Sequence, residues 1–124
     1  MPNKAPSNVI DLDILRPDQR FIKIRNKQID ISFIPCAITF DIDEIVSKMA
    51  RLDMNKVKQG GDEARKAFDL SLELCAAFCK WKHPDLDAKW LRENTNVWQI
   101  TKFADEVKRL LTEAYAGAES YGKK

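Results

Sequence analysis

Apolar and polar residues alternate through the first third of the chain and recur at three- and four-residue spacing in the rest. In Val9–Leu15 (VIDLDIL), Ile10, Leu12 and Ile14 share one face, with Asp11 and Asp13 on the other. That is the pattern of a half-buried strand. Pro17-Asp18 then predicts a turn. Alternation resumes in Phe21–Arg25, where Ile22 and Ile24 oppose Phe21, Lys23 and Arg25. It continues in Gln28–Ile34, where Ile29, Ile31 and Phe33 form an apolar row. Asn26-Lys27 between them predicts a two-residue hairpin turn, because Asn tolerates positive φ. Lys27 is a poorer second residue than Gly, which leaves a longer turn open. Pro35 brings no N–H to a ladder and ends the strand.

Helical spacing then takes over. Asp41-x-x-Glu44 resembles a capping box, and Phe40 with Ile45 fits a hydrophobic staple, so a helix is expected from Asp41. Its stripe is Ile42, Ile45, Met49 and Leu52; a start nearer Cys36 would add Ile38 to the same stripe. Asp53–Gly61 reads as a polar connection closed by Gly60-Gly61. A second helix is expected over Asp62–Lys82. Its apolar residues, Ala64 to Trp81, cover more than half of the helical wheel, as in a central helix with several neighbours. Pro84 stops it. Asp87–Glu93 reads as a short helix carrying Trp90 and Leu91. Asn96-x-x-Gln99 caps a last helix, Val97–Ala116, with one apolar arc through Ile100, Phe103, Val107 and Leu111. Together these predict an α+β fold, a short antiparallel β-meander or hairpin followed by about four α-helices. Residues 1–8 read as a flexible arm, 9–116 as one domain and 117–124 as a flexible tail.

Composition narrows the function. The 124 residues carry 21 basic and 19 acidic side chains, a net +2 that favours neither nucleic acid nor an anionic membrane. Phe21, Lys23 and Arg25 on one strand face suggest a single-strand binding platform, but the same residues suit a solvated face. No apolar run is long enough to span a bilayer, and Met1–Asn8 lacks a signal-peptide profile. Three cysteines in no dense pattern point to a reducing compartment.

Few residues are suited to chemistry. His83 is the single histidine. Cys75, Cys79 and His83 stand at helical spacing, and Cys36 offers a fourth ligand. Structural zinc sites take paired ligands from turns, whereas these cysteines lie in an apolar arc where a thiol acts as a small hydrophobe. Cys79 and His83 lack an orienting third group and an oxyanion loop. Asp41, Asp43 and Glu44 suit a helix start, and Gly60-Gly61 belongs to no phosphate-loop pattern. The expectation is therefore no catalysis, no metal and no cofactor.

Binding remains. Trp98 falls opposite the Ile100–Phe103–Val107 stripe, where an aromatic residue marks either a partner surface or a contact covered by Trp90 or Trp81. The candidate partner-binding residues are Trp98, Trp81, Trp90, Leu70 and Leu74.

The segment IRNKQIDISFIPCAITFDIDEI resembles the N-terminal signature of the tail assembly chaperones of long-tailed bacteriophages. There a strand pair ends in an apolar-Pro-small-apolar junction, here Phe33–Ile38, before an acidic-started helix. A long apolar helix, a Trp-bearing segment (KWLRENTN) and a final helix extend the likeness from about Arg20 to Ala116. The resemblance implies a non-enzymatic chaperone in the bacterial host cytoplasm. Its partners would be the tape measure protein, whose hydrophobic helices it coats, and the tail tube protein. Self-association is also compatible, and the protein would be missing from the mature virion. The Gly122-Lys123-Lys124 ending is compatible with a frameshift site that yields a longer form. Two rival classes are a structural morphogenesis protein, such as a tail terminator or head–tail connector, and a small nucleic-acid-binding regulator.

Overall fold

The computed structural model describes residues 8–12 and 19–122, with side chains up to Glu113. Residues 1–7 of the expected 1–8 arm, the end of the expected first strand, the Pro17-Asp18 turn and residues 123–124 lie outside the described residues. The described elements are β1 (Phe21–Ile24), β2 (Lys27–Asp30), α1 (Cys36–Ala50), α2 (Met54–Lys58), α3 (Asp62–Lys80), α4 (Ala88–Asn94) and α5 (Val97–Gly122). The fold is α+β, a two-stranded antiparallel hairpin followed by helices.

Val9–Leu12 forms no strand, and Ile10 and Leu12 are exposed rather than half-buried. Alternation alone gives a segment no partner strand, and among the described residues only β1 and β2 pair.

The hairpin register is Phe21↔Asp30, Ile22↔Ile29, Lys23↔Gln28 and Ile24↔Lys27. The turn is therefore Arg25-Asn26, one residue earlier than expected. Both have positive φ, 49° and 67°, as a primed two-residue turn demands. The expected and observed registers differ by two residues, so both keep the isoleucines on one face. A clamp at the open end favours the observed one. Arg20 N donates to Ser32 Oγ at 2.7 Å, Ser32 Oγ donates to Arg20 O at 3.2 Å, and Ile31 N donates to Arg20 O at 2.9 Å. Asp30 Oδ1 holds Ser32 in place by accepting from its N–H at 2.8 Å.

Pro35 starts α1, so the helix begins at Cys36 and not at Asp41. Pro35 suits the cap position because it has no N–H to leave unpaired and its φ of −62° and ψ of 145° are the extended geometry of a cap. Its carbonyl accepts from Ile38 N and from Thr39 Oγ1 at 3.0 Å. The Asp41–Glu44 box thus lies inside the helix, and Phe40 is 84% exposed, so no staple forms. Ile38, Ile42 and Ile45 are buried as the stripe predicts.

The expected connection after α1 contains α2. Asp53 caps it by accepting from Asn55 N and Lys56 N. Five residues give too short a window for periodicity to register. Gly60 and Gly61 follow at φ 83° and 74°, a conformation costly for any residue with a Cβ. The chain there turns back into α3.

α3 is the centre of the molecule. It packs on α1, α2, α4, α5 and β2, and Leu72 and Leu74–Cys79 are buried on it. That matches its broad apolar arc. Phe78 of α3 and Phe103 of α5 are each 1% exposed. Truncating either to Ala would cost about 3–5 kcal/mol. Asp87 caps α4 by accepting from Trp90 N at 2.9 Å. Asn96 and Gln99 form the expected box, each side chain accepting from the other's N–H at 2.9 Å. α5 remains helical to Gly122, past the expected end at Ala116.

Candidate protein-binding groove

Even-numbered residues of β1 face the core and occupy the hydrogen-bonded positions opposite β2; odd-numbered ones face out and occupy the non-hydrogen-bonded positions. Ile24, Ile29 and Ile31 are buried and Ile22 is packed against them. Phe21, Lys23 and Gln28 face out. With a two-residue turn, the N–H and C=O groups of Ile22 and Ile24 are turned toward β2. Those of Phe21 and Lys23 therefore point away, along the outer edge of β1.

That edge borders a groove of about 540 Å³ between β1 and the first turns of α5. Arg20 to Ile24 form one wall, Trp98, Lys102 and Glu106 the other, and Ile31 and Phe103 lie between. Trp98 is 83% exposed and Phe21 49%. The same capping box that starts α5 at Val97 fixes Trp98 in its first turn, off the buried stripe.

The groove's charges are mostly spoken for. Arg20 Nη2 meets Glu113 at 3.1 Å, and Lys102 Nζ meets Glu106 at 3.1 Å. The Lys102 hydrogen bond holds the Glu106 carboxyl below its ordinary range, helped by the nearby Arg109 and Arg20 charges. Arg20 Nη1 is buried with no acceptor among the described residues.

Of the five candidate partner-binding residues, Trp98 alone lines this groove. Its exposure rules out cover by Trp81 or Trp90. Those two are half-buried and pack against the core, and Lys82 Nζ sits 5.0 Å from the Trp81 ring centroid. Leu70 likewise packs against the core. Leu74 is fully buried. It floors a second groove of about 460 Å³ with Met49, Met54 and Leu111. The five residues therefore form no single surface. Sequence reasoning placed Phe21 on a face read either as a single-strand platform or as solvated, and did not connect it with Trp98. Alternation reported its exposure, but only tertiary structure reveals that α5 approaches β1.

The three thiols lie apart from the groove and differ in exposure. Cys75 and Cys79 are buried and Cys36 is exposed, so the structure does not bring together the Cys36, Cys75, Cys79 and His83 set that the sequence reading had weighed and set aside. No group of three or more His, Cys, Asp or Glu side chains that could hold a metal occurs among the described residues. Burial raises the Cys75 thiol far above its ordinary value, and the nearby Cys79 adds to the rise. Burial alone pushes Cys79 up to about 12. Cys75 Sγ instead lies 3.9 Å from Ile100 O, between α3 and α5. No helix among the described residues is long and apolar enough to cross a membrane.

No protein-family model, curated protein or solved structure matches this chain. The functional reading therefore stands on the groove and on the resemblance in the sequence.

Proposed function

We propose that this protein is a non-catalytic tail assembly chaperone that binds the tape measure protein of a long-tailed phage and promotes tail tube assembly. The observation that carries the reading is the pairing of exposed Trp98 with exposed Phe21 on the two rims of one groove. Large aromatic side chains left in water beside a groove are a costly arrangement unless a partner covers them. The identity of the client comes from the likeness of Arg20–Ala116 to that chaperone family. Action in the host cytoplasm, recruitment of the tail tube protein and absence from the virion follow from the same likeness.

Co-expression with the tape measure protein of its own phage tests the proposal. The expected result is a soluble complex that co-purifies, and a Trp98→Ala protein that folds but leaves the client in the pellet. A tape measure protein equally insoluble with and without this chain would overturn it. Detection of the chain in purified virions would favour the structural morphogenesis class.

A further inference from the structure

We infer that the β1–α5 groove binds its client as an extended strand, added to the outer edge of β1, with an acidic side chain set against Lys23. The inference rests on the reading of this groove as the client site and deepens it. It names a strand, where coating of hydrophobic helices would call for a helix.

Three observations carry it. The first is the edge itself. The Phe21 and Lys23 backbone groups point outward, and no described hydrogen bond consumes them. An exposed edge is a template for another strand. The second is the wall opposite. α5 runs beside the edge and leaves a slot, with Ile22, Ile24, Ile31 and Phe103 on its inner side. An added strand would send alternate side chains inward onto these apolar residues and outward beside Phe21 and Lys23. A helix in the same slot would leave the edge N–H and C=O groups unpaired and cut off from water.

The third is charge. Lys102 is held by Glu106, and Arg20 by Glu113. Lys23 stands on the outer face with no ion pair among the described residues. A carboxylate directly across from it would complete a cross-strand pair.

The test uses the full chain and the pentapeptide Ac-Val-Asp-Val-Thr-Val-NH2, followed by amide hydrogen exchange in NMR. Binding is expected to slow exchange at Phe21 and Lys23, while Ile22 and Ile24, already bonded to β2, change little. Lys23→Pro removes one edge donor, and the ammonium with it, without touching the β1–β2 ladder, and is expected to weaken the Asp peptide at least fivefold; the same peptide with Asn in place of Asp reports the loss of the donor apart from the charge, about fivefold. If that variant fails to fold, Lys23→Glu serves instead. It should weaken the Asp peptide about threefold and favour a peptide with Lys in its place.

Four outcomes would overturn the inference. Phe21 and Lys23 amides already protected in the free chain would mean that its own Val9–Leu12 region covers the edge. Protection that grows with protein concentration alone would assign the edge to a second copy. Stronger binding in the slot by a Leu-bearing amphipathic helical peptide would assign it to a helix. Absence of any exchange change at high peptide concentration would leave the edge without a strand ligand. In each case a client that still co-purifies leaves the chaperone reading standing. A peptide that binds while the tape measure protein stays insoluble overturns the chaperone reading alone.

Discussion

The hairpin turn yields a prediction in which two glycine substitutions, two residues apart, have opposite signs. Arg25 is held at φ 49° and its side chain is exposed, with no described bond to lose. A left-handed backbone costs an L-residue about 1–2 kcal/mol. Arg25→Gly removes that cost but adds about 0.5–1 kcal/mol of chain entropy lost on folding. The net is a gain of about 0.5–1 kcal/mol. Lys27 is also exposed, but it is a strand residue opposite Ile24. Lys27→Gly relieves no strain and loses about 0.5–1 kcal/mol. The two variants should therefore differ by about 1.5 kcal/mol, which separates their melting temperatures by roughly 6 °C. Thermal unfolding of the full chain followed by circular dichroism, with urea titration as a check, reads the difference. If Lys27→Gly proved more stable than the parent and Arg25→Gly less, the turn would sit at Asn26-Lys27. The open edge of β1 would then carry different residues.

Further outcomes follow from the same geometry. Trp98→Ala should change folding stability by less than about 0.5 kcal/mol, since so little of the ring is covered; its effect should appear only in client binding. Asn96→Ala, which breaks the reciprocal cap of α5, should cost about 1 kcal/mol in urea unfolding. A thiol reagent should modify one of the three cysteines quickly in the native protein, Cys36. Cys79 stays protonated in the folded chain up to about 12, whereas the unfolded thiol ionises near 9.0. Its contribution to stability is thus whole below the unfolded value and is lost as pH rises across that window, and Cys79→Ala should flatten the alkaline limb of a stability–pH curve. Glu106 behaves in the opposite sense. Its folded pKa lies below the ordinary 4.5, so its contribution is present above that value and is lost as pH falls through the folded one. Glu106→Gln should flatten the acid limb.

How much could be read in advance depended on the range of the interactions. Where neighbours within one or two helical turns decide the structure, the sequence was sufficient. The Asn96–Gln99 cap, the Asp87 start of α4, the stripe of α1 and the central role of α3 all belong here. The signals failed where two local solutions competed. Asp41–Glu44 makes a good cap on paper, but Pro35 begins the helix earlier and turns the cap into ordinary helix surface. Asn26-Lys27 and Arg25-Asn26 keep the same isoleucines buried, and the choice between them depends on Ser32 and Arg20, far along the hairpin. The alternating Val9–Leu15 segment carries a strand texture but no information on a partner. The candidate site was the least legible part. Trp98 could be picked out as off-stripe, but its companion Phe21 lies at the other end of the chain, and no periodicity connects the two.

The walls of the groove come from Arg20–Ile24 and Trp98–Glu106, with the whole of α1 to α4 synthesised in between. On a ribosome, β1 emerges early and waits with its edge bare until α5 arrives. A chain interrupted before α5 would have the hairpin without the slot, and so an exposed strand edge with no side wall to select what joins it. Competence to select a partner would then wait for α5, and products truncated before it should be sticky where chains that contain it are selective.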